Sequence, residues 1–292
     1  MLARWNVVLV AVVSAVLAWS GALLWAGWGQ PAEPVDLPVQ EQTAAQPVEL
    51  PILMYHHIHK SPSQWGDHVV SPETLEGDFR YLVEHGYTTI TTADLIAYTQ
   101  KGTPLPDHPI MITFDDGQLS VLEYALPLLE RYDLNAVVAI VGYFADEYTQ
   151  SGDRNINYAC MSWTDIQTLT QSGRVEIANH TDHMHDLTKR NGCQKKDGES
   201  LEAYRAALVA DFETNREKIQ AATGICTTSF AFPFGALSKE ARAVLQEEGY
   251  HVAFTCTEEV NHLTGDPMQL FQLGRFNRAN SLNREALFQK FL

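Results

Sequence analysis

The chain has 292 residues, a net charge of −16 and a hydrophobic share of 45%, enough apolar material for one large domain with an appendage or for two small domains. Its acidity argues against nucleic acid or anionic membrane surfaces as partners, because like charges repel. Neutral and cationic substrates stay open, and neither an internal repeat nor a long single-residue run is present.

Arg4 precedes an uncharged apolar stretch, Val7 to Trp28, long enough to cross a bilayer as a helix. Ser20-Gly21-Ala22 offers the small residues of a cleavage site, but the apolar run continues through Leu23, Leu24 and Trp25. Residues 1–29 are thus expected to be a signal anchor or a signal peptide, with Arg4 on the inside. The expected location is extracytoplasmic, anchored to the membrane by this helix, or secreted if it is cleaved. Residues 30–50, rich in Pro, Gln, Ala and Glu, read as an extended linker.

From 51 to 292 strand-like and helix-like segments alternate. Strands are expected at Ile52–Tyr55, Thr88–Thr91, Ile110–Phe114, Ala136–Val141, Val175–Ala178, Ser229–Phe232, His251–Thr255 and Phe271–Arg275. Helical patterns cover Pro72–His85, Ala93–Gln100, Leu119–Tyr132, Trp163–Ser172, Leu201–Thr223, Ser238–Glu248 and Asn283–Leu292. Such alternation implies an α/β fold on a parallel sheet, closed as a barrel or open and doubly wound. No Gly-rich dinucleotide fingerprint follows the first strand, which disfavours the open nucleotide-binding form.

The strand ends carry the chemistry. Ile52–Tyr55 is followed by His56, His57 and His59. Ile110–Phe114 runs into Asp115-Asp116-Gly117, and Val175–Ala178 into Asn179, His180, Thr181, Asp182, His183, Met184 and His185. In a parallel barrel these ends open on one face, where three strands delivering His and Asp form a metal-site pattern. The plainer reading is that Asp115 or Asp116 caps the helix near Leu119 and that the histidines are ordinary rim residues.

Thr113-Phe114-Asp115-Asp116-Gly117, with His180-Thr181 and His185, resembles the signatures of the polysaccharide deacetylases with a NodB-homology domain, carbohydrate esterase family 4. The resemblance covers most of 51–292. It implies a distorted (β/α) barrel of about seven parallel strands and metal-dependent hydrolysis of N-acetyl groups on sugar polymers. Asp115 would be the general base, and Asp116, His180 and His185 the metal ligands, with His183 the fallback. The family's usual second histidine position is Met184 here. The spacing to His185 is similar to that of the branch containing poly-N-acetylglucosamine deacetylases. The third signature reads Ala231-Phe232-Pro233-Phe234, so the usual arginine and tyrosine are absent; the Phe234 backbone N–H can still serve the oxyanion. No histidine follows His262. By resemblance to the same branch, His56 of Tyr55-His56 would be the general acid, with His57 second. Arg275, at the end of the last expected strand, could replace the missing arginine beside Asp115.

His₂Asp ligation suits Zn²⁺ best, although other divalent metals fit such a set. The implied partners are an N-acetylated cell-surface polysaccharide and, through the N-terminal helix, the membrane. Two alternatives stand. One is a degenerate polysaccharide-binding module. The other is a glycosidase using Asp115 and Asp116, although adjacent residues poorly span a sugar whose flanking carboxyls lie roughly 5–9.5 Å apart. Among the four cysteines, Cys226 and Cys256 should lie at opposite barrel ends, beyond disulfide reach. A Cys160–Cys193 bridge between rim loops is expected, with four buried thiols as the alternative. Trp65 and Trp163 are candidates for sugar stacking or for packing, and Asn191–Ser200 reads as a polar loop that could border a substrate groove.

Overall fold

The structure, a computed structural model, describes residues 47–291. The expected anchor or signal helix and most of the linker therefore lie outside the described residues. Among the described residues no helix is long and apolar enough to cross a membrane.

The strands in chain order are β1 (Val48–Leu50), β2 (Ile52–Tyr55), β3 (His57–Ile58), β4 (Val69–Val70), β5 (Thr88–Thr89), β6 (Pro109–Phe114), β7 (Ala136–Ile140), β8 (Val175–Asn179), β9 (Ser229–Ala231), β10 (Val252–Phe254), β11 (Asn261–Leu263) and β12 (Phe276–Asn277). The helices are α1 (Pro72–Glu84), α2 (Thr92–Lys101), α3 (Leu126–Tyr132), α4 (Gly142–Ser151), α5 (Trp163–Gln171), α6 (Leu201–Thr223), α7 (Ala241–Glu247) and α8 (Arg284–Phe288). Seven strands make one sheet in the order β10-β9-β8-β7-β6-β2-β12, and β5 adds to β6. Every pairing in it is parallel. The two outer strands are brought together by the segment leading into β12. Leu273 N–H donates to Ala253 O (2.9 Å), Thr255 N–H to Leu273 O (2.8 Å) and Arg275 N–H to Thr257 O (2.8 Å). The arrangement is consistent with a distorted (β/α) barrel.

Alternation along the strands sorts the core into two layers. Ile52, Met111, Val137, Ala139, Ala178, Ala231 and Val252 face one another in one apolar cluster. Leu53, Ile110, Ile112, Val138, Ile140 and Ile177 pack with α1, α3 and α5 in another. Both faces are thus covered, which is why these strands read as continuous apolar runs. A third cluster seats Tyr204, Leu208 and Phe212 of α6 on Phe230, Val244 and Tyr250.

Several expectations change. Val48–Leu50, read as linker, pairs antiparallel with β11. The expected strand Phe271–Arg275 begins inside a 3₁₀ turn at Pro267–Gln272, and the strand proper is β12. The helix expected at Leu119–Tyr132 is a π turn at Val121–Ala125 followed by α3. Helix α4 lay unread inside the segment after β7. The Cys160–Cys193 bridge is not formed. All four thiols are free, but only Cys160 and Cys193 are buried; Cys256 is half-buried and Cys226 exposed. In backbone pairing, Cys160 lies opposite Gln118 and Cys193 opposite Leu237, so different neighbours hold the two loops. Burial pushes the Cys160 thiol up to about 12.

Candidate active site at the C-terminal strand ends

Strand β6 aims two carboxylates in different directions. Met111, Thr113 and Asp115 alternate toward one face, so Asp115 continues the layer below it. There it meets Arg275, whose Nη1 and Nη2 donate to its two carboxylate oxygens at 2.7 and 2.8 Å. Both side chains are buried, Arg275 completely. Arg275 also donates from Nε to Thr255 O (2.9 Å) and from Nη1 to Thr113 Oγ1 (3.2 Å). Burial alone would raise the Asp115 pKa, but Arg275 and then His180 outweigh it and hold the carboxyl below its ordinary value.

Asp116 leaves the strand with φ 69°, a left-handed backbone rare for a residue with a Cβ. This turn carries its carboxylate across to the β8 histidines. Asp116 Oδ1 lies 3.5 Å from His180 Nε2 and 3.1 Å from His185 Nε2. The three donor atoms all lie within 4.8 Å of one another, so the group could hold a metal ion. Two further observations fit a divalent cation. Asp116 Oδ1 is buried without a hydrogen-bond partner. His180 Nδ1 lies 2.8 Å from Ala231 O; donating its proton there turns the Nε2 lone pair toward Asp116, the usual orientation of a histidine ligand. Burial would lower the His180 pKa, yet Asp115 and Asp116 raise it, and the imidazoles of His180 and His185 hold Asp116 well below the carboxylate range despite its burial.

Helix α6 fixes the loop that bears these histidines. Asp211 accepts from Asp182 N–H and His183 N–H, each at 2.8 Å. Asn215 Nδ2 donates to Ile140 O (2.8 Å), Asn179 Oδ1 (2.8 Å) and Thr181 O (3.0 Å). Lys218 reaches Asp182 Oδ1 (2.6 Å) and Asp146 Oδ2 (2.7 Å). Positions 211, 215 and 218 recur at i, i+4 and i+7 and so share one helix face. Thr181 sits in the left-handed region at φ 71°. A Cβ on Gly142 would meet Asp182 Oδ1 at 2.3 Å and Asn215 Oδ1 at 2.5 Å, so this close approach requires glycine.

Among the other expected site residues, His56 lines the same cavity of ≈ 480 Å³ as Asp115, Asp116, His180, His185 and Phe234. Its Nδ1 is buried without a partner, and burial lowers its pKa against the pull of both aspartates. His57 is engaged elsewhere. Its Nδ1 lies 2.9 Å from Ser120 Oγ and its Nε2 3.1 Å from Asn157 O. His183 stands outside the ligand group, paired through Nδ1 with Asp182 Oδ2 at 2.7 Å. Phe234 takes φ 59° and packs its ring on His185 at 4.5 Å between centroids. Trp163 donates from Nε1 to Asp146 Oδ1 (2.7 Å) and Trp65 from Nε1 to His59 O (2.6 Å), and both side chains are partly exposed.

The sequence reading missed His68, whose ring lies 4.5 Å from that of His56, and the α6 face. The polar spacing at 211, 215 and 218 was the available signal. His68, after a short loop, gave none.

A parallel α/β sheet with two carboxylates and two imidazoles converging at its C-terminal strand ends has the layout of an enzyme with a metal-competent centre. The sequence profile of the polysaccharide deacetylases matches residues 102–253, more than half of the chain. The chain belongs to the polysaccharide deacetylase family. It is 24% identical over 222 residues to a poly-beta-1,6-N-acetyl-D-glucosamine N-deacetylase of Escherichia coli, covering 70% of this chain and 33% of that protein. The Staphylococcus aureus enzyme of the same name is 22% identical over 220 residues, covering 71% and 72%. The chain thus spans about a third of the first relative's length. A de-N-acetylase of Aggregatibacter actinomycetemcomitans shares the fold, with a TM-score of 0.71, 22% identity, and coverage of 84% of this chain and all of that one.

Proposed function

We propose that this protein is an extracytoplasmic, metal-dependent deacetylase that hydrolyses N-acetyl groups on an N-acetylglucosamine-containing cell-surface polysaccharide. The observation that carries the proposal is the division of labour at Asp115-Asp116, with one carboxylate locked to a buried arginine and its neighbour turned toward two histidines. The names of the E. coli and S. aureus relatives support a poly-N-acetylglucosamine substrate. In this reading 51–292 is the catalytic domain, and residues 1–29 anchor or export it.

Amide hydrolysis needs an activated water, a stabilised oxyanion and a protonated amine. Asp116, His180 and His185 would hold the cation. A divalent metal, Zn²⁺ by the donor set, would supply Lewis acidity toward the water and the acetyl oxygen. Asp115 takes the water proton, and Arg275 keeps it ionised and aimed for that task. The water oxygen bonds to the acetyl carbon, and the Phe234 N–H donates to the developing oxyanion. His56 gives a proton to the sugar nitrogen as the C–N bond breaks, leaving acetate and a free amine. Its burial-lowered pKa suits donation of a proton once one is loaded, and the two nearby aspartates favour the loading.

Incubation of the purified protein with N-acetylated oligosaccharides tests this directly. Acetate release with metal dependence is the expected result. New reducing ends would instead mark a glycosidase, and binding without either product a degenerate module.

A further inference from the structure

A second cavity of ≈ 410 Å³ adjoins the first and shares His185 and Phe234 with it. Tyr143 and Phe144, from the first turn of α4, form one wall, and Leu187 and Lys189 line it as well. Three large apolar side chains are left in water here, with Tyr143 39%, Leu187 65% and Phe234 43% exposed. Scattered exposed apolar groups need no explanation, but several lining one concavity do. Its polar lining is Asp182, His183, His185, Asp186 and Lys189, of which Lys189 Nζ pairs with Asp186 Oδ2 at 3.3 Å with both side chains solvent-accessible. His180 and its loop are held from Ala231 and α6, while the Tyr143 hydroxyl and Lys189 Nζ pair with Glu147 and Asp186 instead of with the Asp/His/His group.

We propose that this cavity is a subsite for the sugar next to the one being deacetylated, a proposal that rests on the deacetylase reading. A pyranose ring presents an apolar C–H face and a hydroxyl edge, matching aromatic walls and a polar lining. The volume lies in the range of small-ligand sites, about 300–1,000 Å³, and suits one ring. Continuity decides the occupant. A polymer whose acetamido group reaches His185 from the first cavity must pass over the His185–Phe234 divide, and its next residue then faces Tyr143, Phe144 and Leu187. Binding energy from this non-reacting sugar can be used to position the reacting one.

The test uses the full chain, Tyr143→Ala and Leu187→Ser, both at exposed positions that touch no proposed catalytic group's hydrogen bonds. Acetate release is compared on a β-1,6-linked N-acetylglucosamine pentamer and on 4-nitrophenyl acetate, which has no neighbouring sugar. Pentamer binding to each variant in an Asp115→Asn background is measured by calorimetry. The expected result is a roughly tenfold loss of kcat/KM on the pentamer, mostly through KM, with similarly weaker binding. Ester hydrolysis should stay within about twofold of wild type on the same scale. Unchanged pentamer kinetics and binding overturn the subsite, as does an equal loss on both substrates, which would place the damage at the chemistry itself. A wild-type protein that binds pentamer through Tyr143 but releases no acetate would sink the deacetylase reading and leave the subsite standing.

Discussion

Asp115 and Arg275 stand 160 positions apart in the chain and meet in a two-pronged, buried ion pair. Removing one partner of such a pair strands the other charge, typically at a cost of about 3–5 kcal/mol. Arg275→Gln should therefore lower stability. It should also raise the Asp115 pKa, since burial would act on the carboxyl without its main counterweight. The acid limb of the pH–rate profile should move to higher pH, and neutral-pH activity should fall. A profile with an unmoved limb would show that Arg275 does not set the base.

Asp115→Asn keeps the shape of the site and removes the proposed proton acceptor. Deacetylation should fall by at least about 10²-fold, the scale of a lost general base, while the dissociation constant for added Zn²⁺ changes little. Retained turnover would end the base assignment, and lost metal would mean that Asp115 is itself a ligand.

His56 and His57 give opposite expectations. His56 faces the cavity of Asp115, Asp116, His180 and His185 with a free buried nitrogen, whereas both His57 nitrogens are occupied by Ser120 and Asn157. His56→Ala should slow amine release by about 10²–10⁴-fold and leave metal binding intact. His57→Ala should act mainly on stability. A larger kinetic loss from the His57 change would reverse the two roles.

Asn215 ties Ile140, Asn179 and Thr181 together behind the histidine loop. Outer partners of this kind commonly tune metal affinity by about 10–100-fold. Asn215→Ala should weaken binding of the metal alone by that order, read by competition with a chelating dye. Affinity equal to wild type would reduce Asn215 to a packing role.

What could be read from sequence divides along physical lines. The Thr113–Gly117 signature and the His180, His185 spacing are local, and local chemistry survives without coordinates. The pairing of Arg275 with Asp115 is not local. Position at a strand end suggested it, but the strand was placed wrongly, because Pro267 begins a 3₁₀ turn where an apolar run seemed to continue. Composition hid β1 in the linker, since its pairing with β11 depends on residues 261–263. The cysteine pairing failed because sharing one rim does not bring two loops within bonding distance. Helix α6 was expected only as the element Leu201–Thr223, and its polar face at Asp211, Asn215 and Lys218 carried no expectation.

The loop after the histidines offers a stability test with a defined pH window. Arg190 Nη1 and Nη2 donate to Glu199 at 2.9 and 2.6 Å, and Lys196 N–H adds a bond at 2.9 Å. The two side chains are only 8% and 13% exposed. These bonds, those of Arg190 foremost, hold the Glu199 carboxyl at about 2 against an ordinary 4.5. Because the folded value is the lower one, the unfolded chain binds the proton first as pH falls. The stabilisation is therefore complete above pH 4.5 and lost on descent through about pH 2. Glu199→Gln should lower Tm at pH 7 by on the order of 2–4 °C, the shift for each kcal/mol lost in a domain of this size. The gap from wild type should narrow steadily below pH 4.5. A Tm difference that is the same at pH 7 and pH 3 would show that the pair's ionisation contributes nothing and that shape alone holds the loop.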